Sequence, residues 1–261
     1  MKNIQQIKDY ADLLKLTQLK KAPEDILCTA QADKPGYGEF VLQLLRTEVN
    51  YRKKTDMDKR LKLAKLPKTC DLSQYDYSVT NGILKMELEG LRELLWIEQN
   101  FNVMLMGPSG TGKTFIAAGL VNDAIRNGYT AYFITMAELS TVLTVMDVSK
   151  NAESTYNRLL KADLIAIDDV MMFPINKQAA IAFFNMINKL HEHTSFIITS
   201  NKSPTQWAEV LEDPALTGAL MDRLLFKSQT FLLHGSSYRM DHRQSIFPDQ
   251  RQASATGRET N

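Results

Sequence analysis

Cysteine is almost missing: Cys28 and Cys70 are the only two in 261 residues, and they stand far apart. That excludes a disulfide framework and suits a reducing compartment. Histidine is scarce too. Only His191 and His193, in "LHEHTS", are close together, and two positions apart on a helix they would face different ways, so no metal site is expected there. No apolar run approaches the length of a membrane span, and the opening "MKNIQQIKDYADLLKL" is too polar for a secretion signal. A soluble, cytoplasmic protein without membrane contact is the expectation. An excess of one charge is also missing: Lys+Arg 31 against Asp+Glu 30 leaves a net charge of +1, which does not announce a nucleic-acid binder. The distribution says more. Residues 46 to 68, "RTEVNYRKKTDMDKRLKLAKLPK", hold nine basic residues and three acidic ones. Such a run is either a solvated helix face or a surface for nucleic acid or an acidic partner.

What is present is a helical front followed by alternating strands and helices. From Lys8 to Lys21, apolar residues recur at helical spacing, until Pro23 and "ADKPGYG" break the pattern. The spacing resumes at Phe40, Val41, Leu44 and Leu45 and runs to Leu66, where Pro67 ends it. "CDLSQYDYS" reads as an extended connector. Leu84, Leu88, Leu91 and Leu95 predict an amphipathic helix from about Asn81 to Gln99. Beyond Asn100, "NVMLM", "TAYFIT", "DLIAIDD", "SFIITSN" and "TFLLH" are short apolar strands separated by helical stretches. Thr135 and Glu138 stand at capping-box spacing at the head of one such helix. This alternation implies an α/β fold with a parallel sheet covered on both faces. The expected organisation is a helical region over residues 1–77, an α/β domain over 78–240 and a polar, disordered tail over 241–261.

The segment "MGPSGTGKTF" follows the first strand directly and fits G-x-x-x-x-G-K-[ST], with Gly107, Gly112, Lys113 and Thr114 in the fixed places and Pro108, Ser109, Gly110 and Thr111 between them. A glycine-rich turn from a buried strand into a helix turns backbone N–H groups and the helix dipole toward one point, where a polyphosphate is favoured. Lys113 can reach the terminal phosphates, and Thr114 can offer its hydroxyl to magnesium. ATP and Mg2+ are the expected cofactors. In "LIAIDD", four apolar residues lead to two carboxylates, which suits a strand end facing a site. By position, Asp168 is the magnesium residue and Asp169 the base candidate that polarises water. In "IITSN", Thr199, Ser200 and Asn201 end the next strand, and Asn201 is the choice for orienting water. Arg223, in "LMDRLL", is either an ion-pair partner of Asp222 or Asp213 or an arginine that completes a neighbouring subunit's site.

"GPSGTGKT", "LIAIDD", "IITSN", "DPALTGALMDRL" and "GSSYR" occur in the order and spacing of the IstB/DnaC-like AAA+ ATPases, which this chain resembles over roughly residues 40 to 240. "AKLP" followed by "LSQYDYS" is similar to the join between the IstB front region and its ATPase core. The phosphate loop is shared by many nucleotide hydrolases, whereas "DPALTGALMDRLL…GSSYR" is far more specific. The resemblance implies a P-loop NTPase of the AAA+ type, a three-layer sandwich with a parallel central sheet behind a small helical N-terminal region. It implies Asn201 as first sensor, Arg223 as a trans-acting arginine finger and Arg239 as second sensor of the γ-phosphate. Many family members carry Asp-Glu where this chain has Asp168-Asp169, and the shorter side chain makes the water-activating role of Asp169 less secure than the metal role of Asp168.

The function this implies is an ATP-hydrolysing helper of DNA transposition. It would assemble as a homo-oligomer on double-stranded DNA and recruit or stimulate a cognate transposase. Its DNA contacts would come from Arg46 to Lys68 and from Lys150, Arg158 and Lys161. The alternative is a DnaC-like helicase-loading adaptor. A small-molecule kinase using the same loop is a third class, against which Arg223 in "DRL" counts.

Overall fold

The computed structural model describes residues 2–78, 81–241 and 243. The disordered tail expected over 241–261 lies outside the described residues, apart from Asp241 and Arg243. The described chain forms two compact units, one ending at Leu63 and one beginning at Ala64.

The first unit is helical: α1 (Lys2–Leu13), α2 (Thr17–Lys21), α3 (Pro23–Asp33) and α4 (Tyr37–Ala64). The continuous helical stretch expected from Lys8 to Lys21 is interrupted, because Lys15 takes a left-handed φ of 55° between α1 and α2. Glu48 of α4, only 5% exposed, ties these helices together. Its carboxylate accepts from the Gln18 N–H at 2.9 Å and from Arg52 Nε at 3.2 Å, and Arg52 Nη2 donates to the Lys15 carbonyl at 2.7 Å. The carboxylate thereby satisfies an amide that the start of α2 would leave unpaired.

The second unit opens with a 3-10 turn at Leu72–Gln74, where an extended connector was expected. Leu72 is 1% exposed and sits over Gly119, where a Cβ would run into the Leu72 side chain. Two helices, α5 (Lys85–Arg92) and α6 (Leu95–Glu98), stand where one was expected. The break is Leu94, in the left-handed region at φ 63°. It turns the helix so that Leu94 and Ile97 are buried and Leu95 is exposed.

Strands and helices then alternate: β1 (Asn102–Met106), α7 (Lys113–Arg126), β2 (Ala131–Thr135), α8 (Met136–Val145), α9 (Lys150–Leu159), β3 (Leu164–Asp168), α10 (Lys177–Leu190), β4 (Ser195–Ser200), α11 (Pro204–Leu211), α12 (Pro214–Leu225), β5 (Ser228–Leu232) and α13 (Tyr238–Asp241). The five strands form one parallel sheet in the order β2-β3-β4-β1-β5. Every residue of β1, β3 and β4 is buried, which explains their unbroken apolar runs. On one face Met104, Ile165, Ile167, Phe196 and Ile198 pack with Leu139, Phe183, Trp207 and Leu224 from α8, α10, α11 and α12. The alternate strand residues look to the other face, where α7 lies against the sheet. This is the three-layer α/β sandwich expected. The Thr135–Glu138 capping box at the head of α8 is present as the sequence predicts.

Candidate nucleotide-binding site

The chain leaves β1 for the far edge of the sheet at β2, and returns through β3 and β4 to β1's side. Ligands in open parallel sheets bind at the carboxyl ends of the strands near such a switch point. The glycine loop sits there. Gly107 has φ 145°, and a Cβ on it would run into the Leu233 carbonyl; Gly110 has φ 85°, and a Cβ there would meet Ser237. Glycine is therefore needed both for backbone angle and for close approach of the segment after β5. Gly112, at φ 94°, starts α7.

Lys113 is 6% exposed. Its ammonium donates to the Gly107 carbonyl at 2.7 Å and the Pro108 carbonyl at 2.6 Å, and Thr111 Oγ1 also donates to Pro108 O at 2.9 Å. Burial lowers the Lys113 pKa; the negative charges of Asp169 and Asp168 oppose this, and the positive charge of Arg239 adds to it. Asp168, Asp169 and Arg239, all predicted from the sequence, are thus within electrostatic reach of Lys113. Thr114 Oγ1 lies 3.1 Å from both carboxylate oxygens of Asp168. Burial raises the Asp168 pKa, the Asp169 charge raises it further, and hydrogen bonds from Thr199 and Thr114 pull the other way.

A buried ammonium held in a glycine loop, beside a hydroxyl and a desolvated carboxylate, fits a magnesium–triphosphate: the loop and Lys113 match the anion, and Thr114 with Asp168 supplies the hard oxygen donors magnesium takes. Asp169 is exposed and takes a left-handed φ of 58°, a conformation more accessible to aspartate than to most residues. Asn201 is exposed and directly follows Ser200, whose carbonyl accepts from the Gly107 N–H at 3.1 Å. It leaves the sheet beside the loop. Arg239 lies on α13, which is tied to the loop by the Tyr238 N–H donating to the Gly110 carbonyl at 3.0 Å.

Arg223 is elsewhere. Asn102, the first residue of β1, donates from Nδ2 to the Leu224 carbonyl at 2.9 Å, so the last turn of α12 is fastened at the N-terminal edge of the sheet. Gly107 is at the other end of β1, about 16 Å away at strand rise. Arg223 does not pair with Asp222 or Asp213: Nε donates to Asn188 Oδ1, Nη1 donates to the Ala219 carbonyl at 3.0 Å, and the guanidinium lies 4.9 Å from the centre of the Phe184 ring. Asp213 instead caps α12 through the Leu216 N–H.

Two contributors were not singled out from the sequence. Asn81, 6% exposed, donates from Nδ2 to the Thr111 carbonyl at 3.0 Å and to the Tyr75 hydroxyl, while its own carbonyl accepts from the His234 N–H at 2.9 Å. It fastens the phosphate loop to the segments before β1 and after β5. Thr199, passed over in favour of Asn201, donates to Asp168. Only a polar residue at the end of a buried strand hinted at it. Next to it, Ser200 Oγ donates to the Val170 carbonyl at 2.8 Å and accepts from Nε1 of the fully buried Trp207.

The family model for IstB-like ATP binding proteins matches residues 10–246. A Bacteroides fragilis protein whose name ties it to ATP binding and to an IS21-like insertion sequence is 45% identical over 250 residues, covering 96% of this chain and 95% of the relative. A Pseudomonas aeruginosa protein, named for ATP binding and for insertion sequence IS21, is 34% identical over 87% of this chain and 86% of its own. Among solved structures, AMPPCP-bound DnaA from Aquifex aeolicus matches with a TM-score of 0.53 at 20% identity, over 67% of this chain and 53% of that one. The DnaC helicase loader matches at 0.52 and 16% identity, over 63% of this chain and 97% of that one. These structural likenesses are of fold, and the fold is that of AAA+ P-loop proteins. No helix among the described residues is long and apolar enough to cross a membrane. On its sequence match over most of its length, this chain belongs to the family of IstB-like ATP-binding proteins.

Proposed function

We propose that the protein is an ATP-hydrolysing helper of DNA transposition that assembles on double-stranded DNA and recruits or stimulates a transposase. The observation that carries the ATPase part is the convergence of Lys113, Thr114, Asp168, Asp169 and Arg239 on the glycine loop. The loop amides and Lys113 hold the triphosphate, with Arg239 as a second cation near its end. Thr114 and Asp168 hold magnesium, which when bound offsets phosphate charge in the transition state. Asp169 accepts a proton from the attacking water and Asn201 orients it. Arg223, at the opposite edge of the sheet, is out of reach of its own loop. That supports its service to a neighbouring copy.

The transposition part rests on the relatives, named for insertion sequences. The fold likeness to the DnaC loader is shared with DnaA, so it does not favour helicase loading. DNA is offered two basic surfaces. Lys53, Lys54, Lys59 and Lys62 are exposed on α4, and Lys150, Arg158 and Lys161 line a shallow depression along α9. These would meet phosphates rather than base edges, so binding should be sequence-tolerant and weaken steeply with salt. The test is phosphate release from Mg-ATP with and without duplex DNA, with a salt titration of DNA affinity alongside. Phosphate release no faster than that of Asp168→Asn, or DNA affinity unmoved between low and high salt, would overturn the proposal.

A further inference from the structure

We infer that Thr199 is the positioning residue for both acids of the site, fixing the Asp168 carboxylate and the backbone that aims Asp169. The inference rests on the proposed ATPase function. Thr199 is fully buried at the end of β4, opposite the end of β3. Its hydroxyl accepts from the Asp169 N–H at 2.9 Å, and donates to Asp168 Oδ1. The direction is forced. An amide can only donate and an ionised carboxylate can only accept, so the one hydroxyl proton goes to Asp168. The Thr199 carbonyl also accepts from the Val170 N–H at 2.9 Å. One residue thus takes two successive amides of the turn after β3 and returns a proton to the carboxylate that begins it.

The turn needs such an anchor. Asp169 and Met171 both have φ of 58°, a region that costs a side-chain-bearing residue energy and persists where surroundings hold it. Asp168 is desolvated and has two hydroxyls for partners. Thr114 is also assigned to magnesium, which leaves Thr199 as the hydroxyl partner with no role toward the ligand itself. A group that orients a metal-binding carboxylate from behind typically matters 10- to 100-fold in metal affinity or activity. Asn201, two residues on, is exposed and can face the reacting water while Thr199 sets the acids.

The test compares Thr199→Val, which keeps the shape and loses the hydroxyl, with Thr199→Ser, which keeps the hydroxyl and loses the methyl. Turnover of Mg-ATP, the KM for ATP, and the magnesium concentration that half-saturates binding of a fluorescent ATP analogue are measured on the full chain. Thr199→Val should lower kcat by about tenfold or more, leave KM within a few-fold, and raise the magnesium half-saturation about tenfold. Thr199→Ser should recover most of both. Parental kcat and magnesium requirement in Thr199→Val, or equal damage in Thr199→Ser, would overturn the inference. Should Thr199→Val fail to fold, Thr199→Ser against Thr199→Ala repeats the comparison, since those two differ by the hydroxyl alone. A parent chain that binds Mg-ATP without hydrolysing it would sink the ATPase proposal, and the magnesium half-saturation would still decide on Thr199. A parent that binds no nucleotide sinks both.

Discussion

Arginine 223 gives the sharpest test of how the site is completed. It sits at the N-terminal edge of the sheet and the phosphate loop at the C-terminal edge, about 16 Å apart along β1, with a rigid parallel sheet between them. No side-chain rotation closes that gap, so any contact of Arg223 with a γ-phosphate is made on another copy. Arg223→Ala should then leave ATP affinity near the parental value and lower turnover roughly a thousandfold or more, the range for trans-acting arginines. Lys113→Ala should be inactive for the opposite reason. A contact between Arg223 of one copy and the loop of the next would be head-to-tail. In an equal mixture that associates at random, half the loops keep Lys113, and half of those face a neighbour with Arg223. About a quarter of the sites are whole, so the mixture should regain about a quarter of parental phosphate release. Neither variant carries both residues, so action within one chain predicts no recovery at all. Phosphate release from the mixture, with co-assembly on DNA checked by pull-down of one tagged variant, reads the difference. Absence of recovery in mixtures shown to co-assemble refutes the reasoning and leaves Arg223 as a structural partner of Asn188 and Phe184.

Three further outcomes are expected. Lys113→Ala removes the buried cation of the loop, and titration of labelled ATP should show a sharp loss of affinity; equal affinity would rule Lys113 out as a phosphate ligand. Glu48→Gln should loosen the N-terminal helices by about 1.5–3 kcal/mol, the value of a hydrogen bond to a charged group. Burial pushes the Glu48 carboxyl up, but the amides of Gln18 and Thr17 and the Arg52 guanidinium outweigh it and hold the group below its usual value. Its contribution is therefore complete at neutral pH and is lost as pH falls through that lowered value, so acid should shift the melting of the parent more than that of Glu48→Gln; parallel shifts would contradict the assignment. Gly119→Ala should cost about 1–3 kcal/mol by crowding Leu72. Adding Leu72→Ala should cost less in that background than in the parent, and strict additivity of melting shifts would show that the two do not touch.

The legible parts of this fold were those with a local signature. The β1 strand, the loop behind it and the acids ending β3 each announce themselves within ten residues, and Thr135 with Glu138 gives its cap in four. The break at Leu94 was not legible, because Leu84, Leu88, Leu91 and Leu95 keep helical spacing straight through it. A single left-handed residue, held there by its buried surroundings, leaves no trace in periodicity. Thr199 and Asn81 were hidden for another reason. Their partners, Asp168 and Thr111, lie 31 and 30 residues away, and a hydrogen bond across that separation has no pattern to read. For Arg223 the sequence left an ion pair and a finger both open; the ion pair fails because Asp213 is occupied at the cap of its own helix and the guanidinium rests on Phe184 and Asn188.

The placement of the loop at one edge of the sheet and Arg223 at the other gives each molecule a front and a back. If Arg223 serves a neighbouring copy's loop, as proposed, copies joined front to back form a directional row, and such a row has unlike ends. One terminal subunit offers an arginine with nothing to act on. The other holds nucleotide with no arginine facing it, and so keeps its ATP longest. An open row of any length is then one working site short, whereas a closed ring has none missing. Short rows lose the largest share, so hydrolysis per molecule should climb with length and level off. The slow-firing end also becomes a physical mark of where the row stops, a surface that differs chemically from every junction behind it.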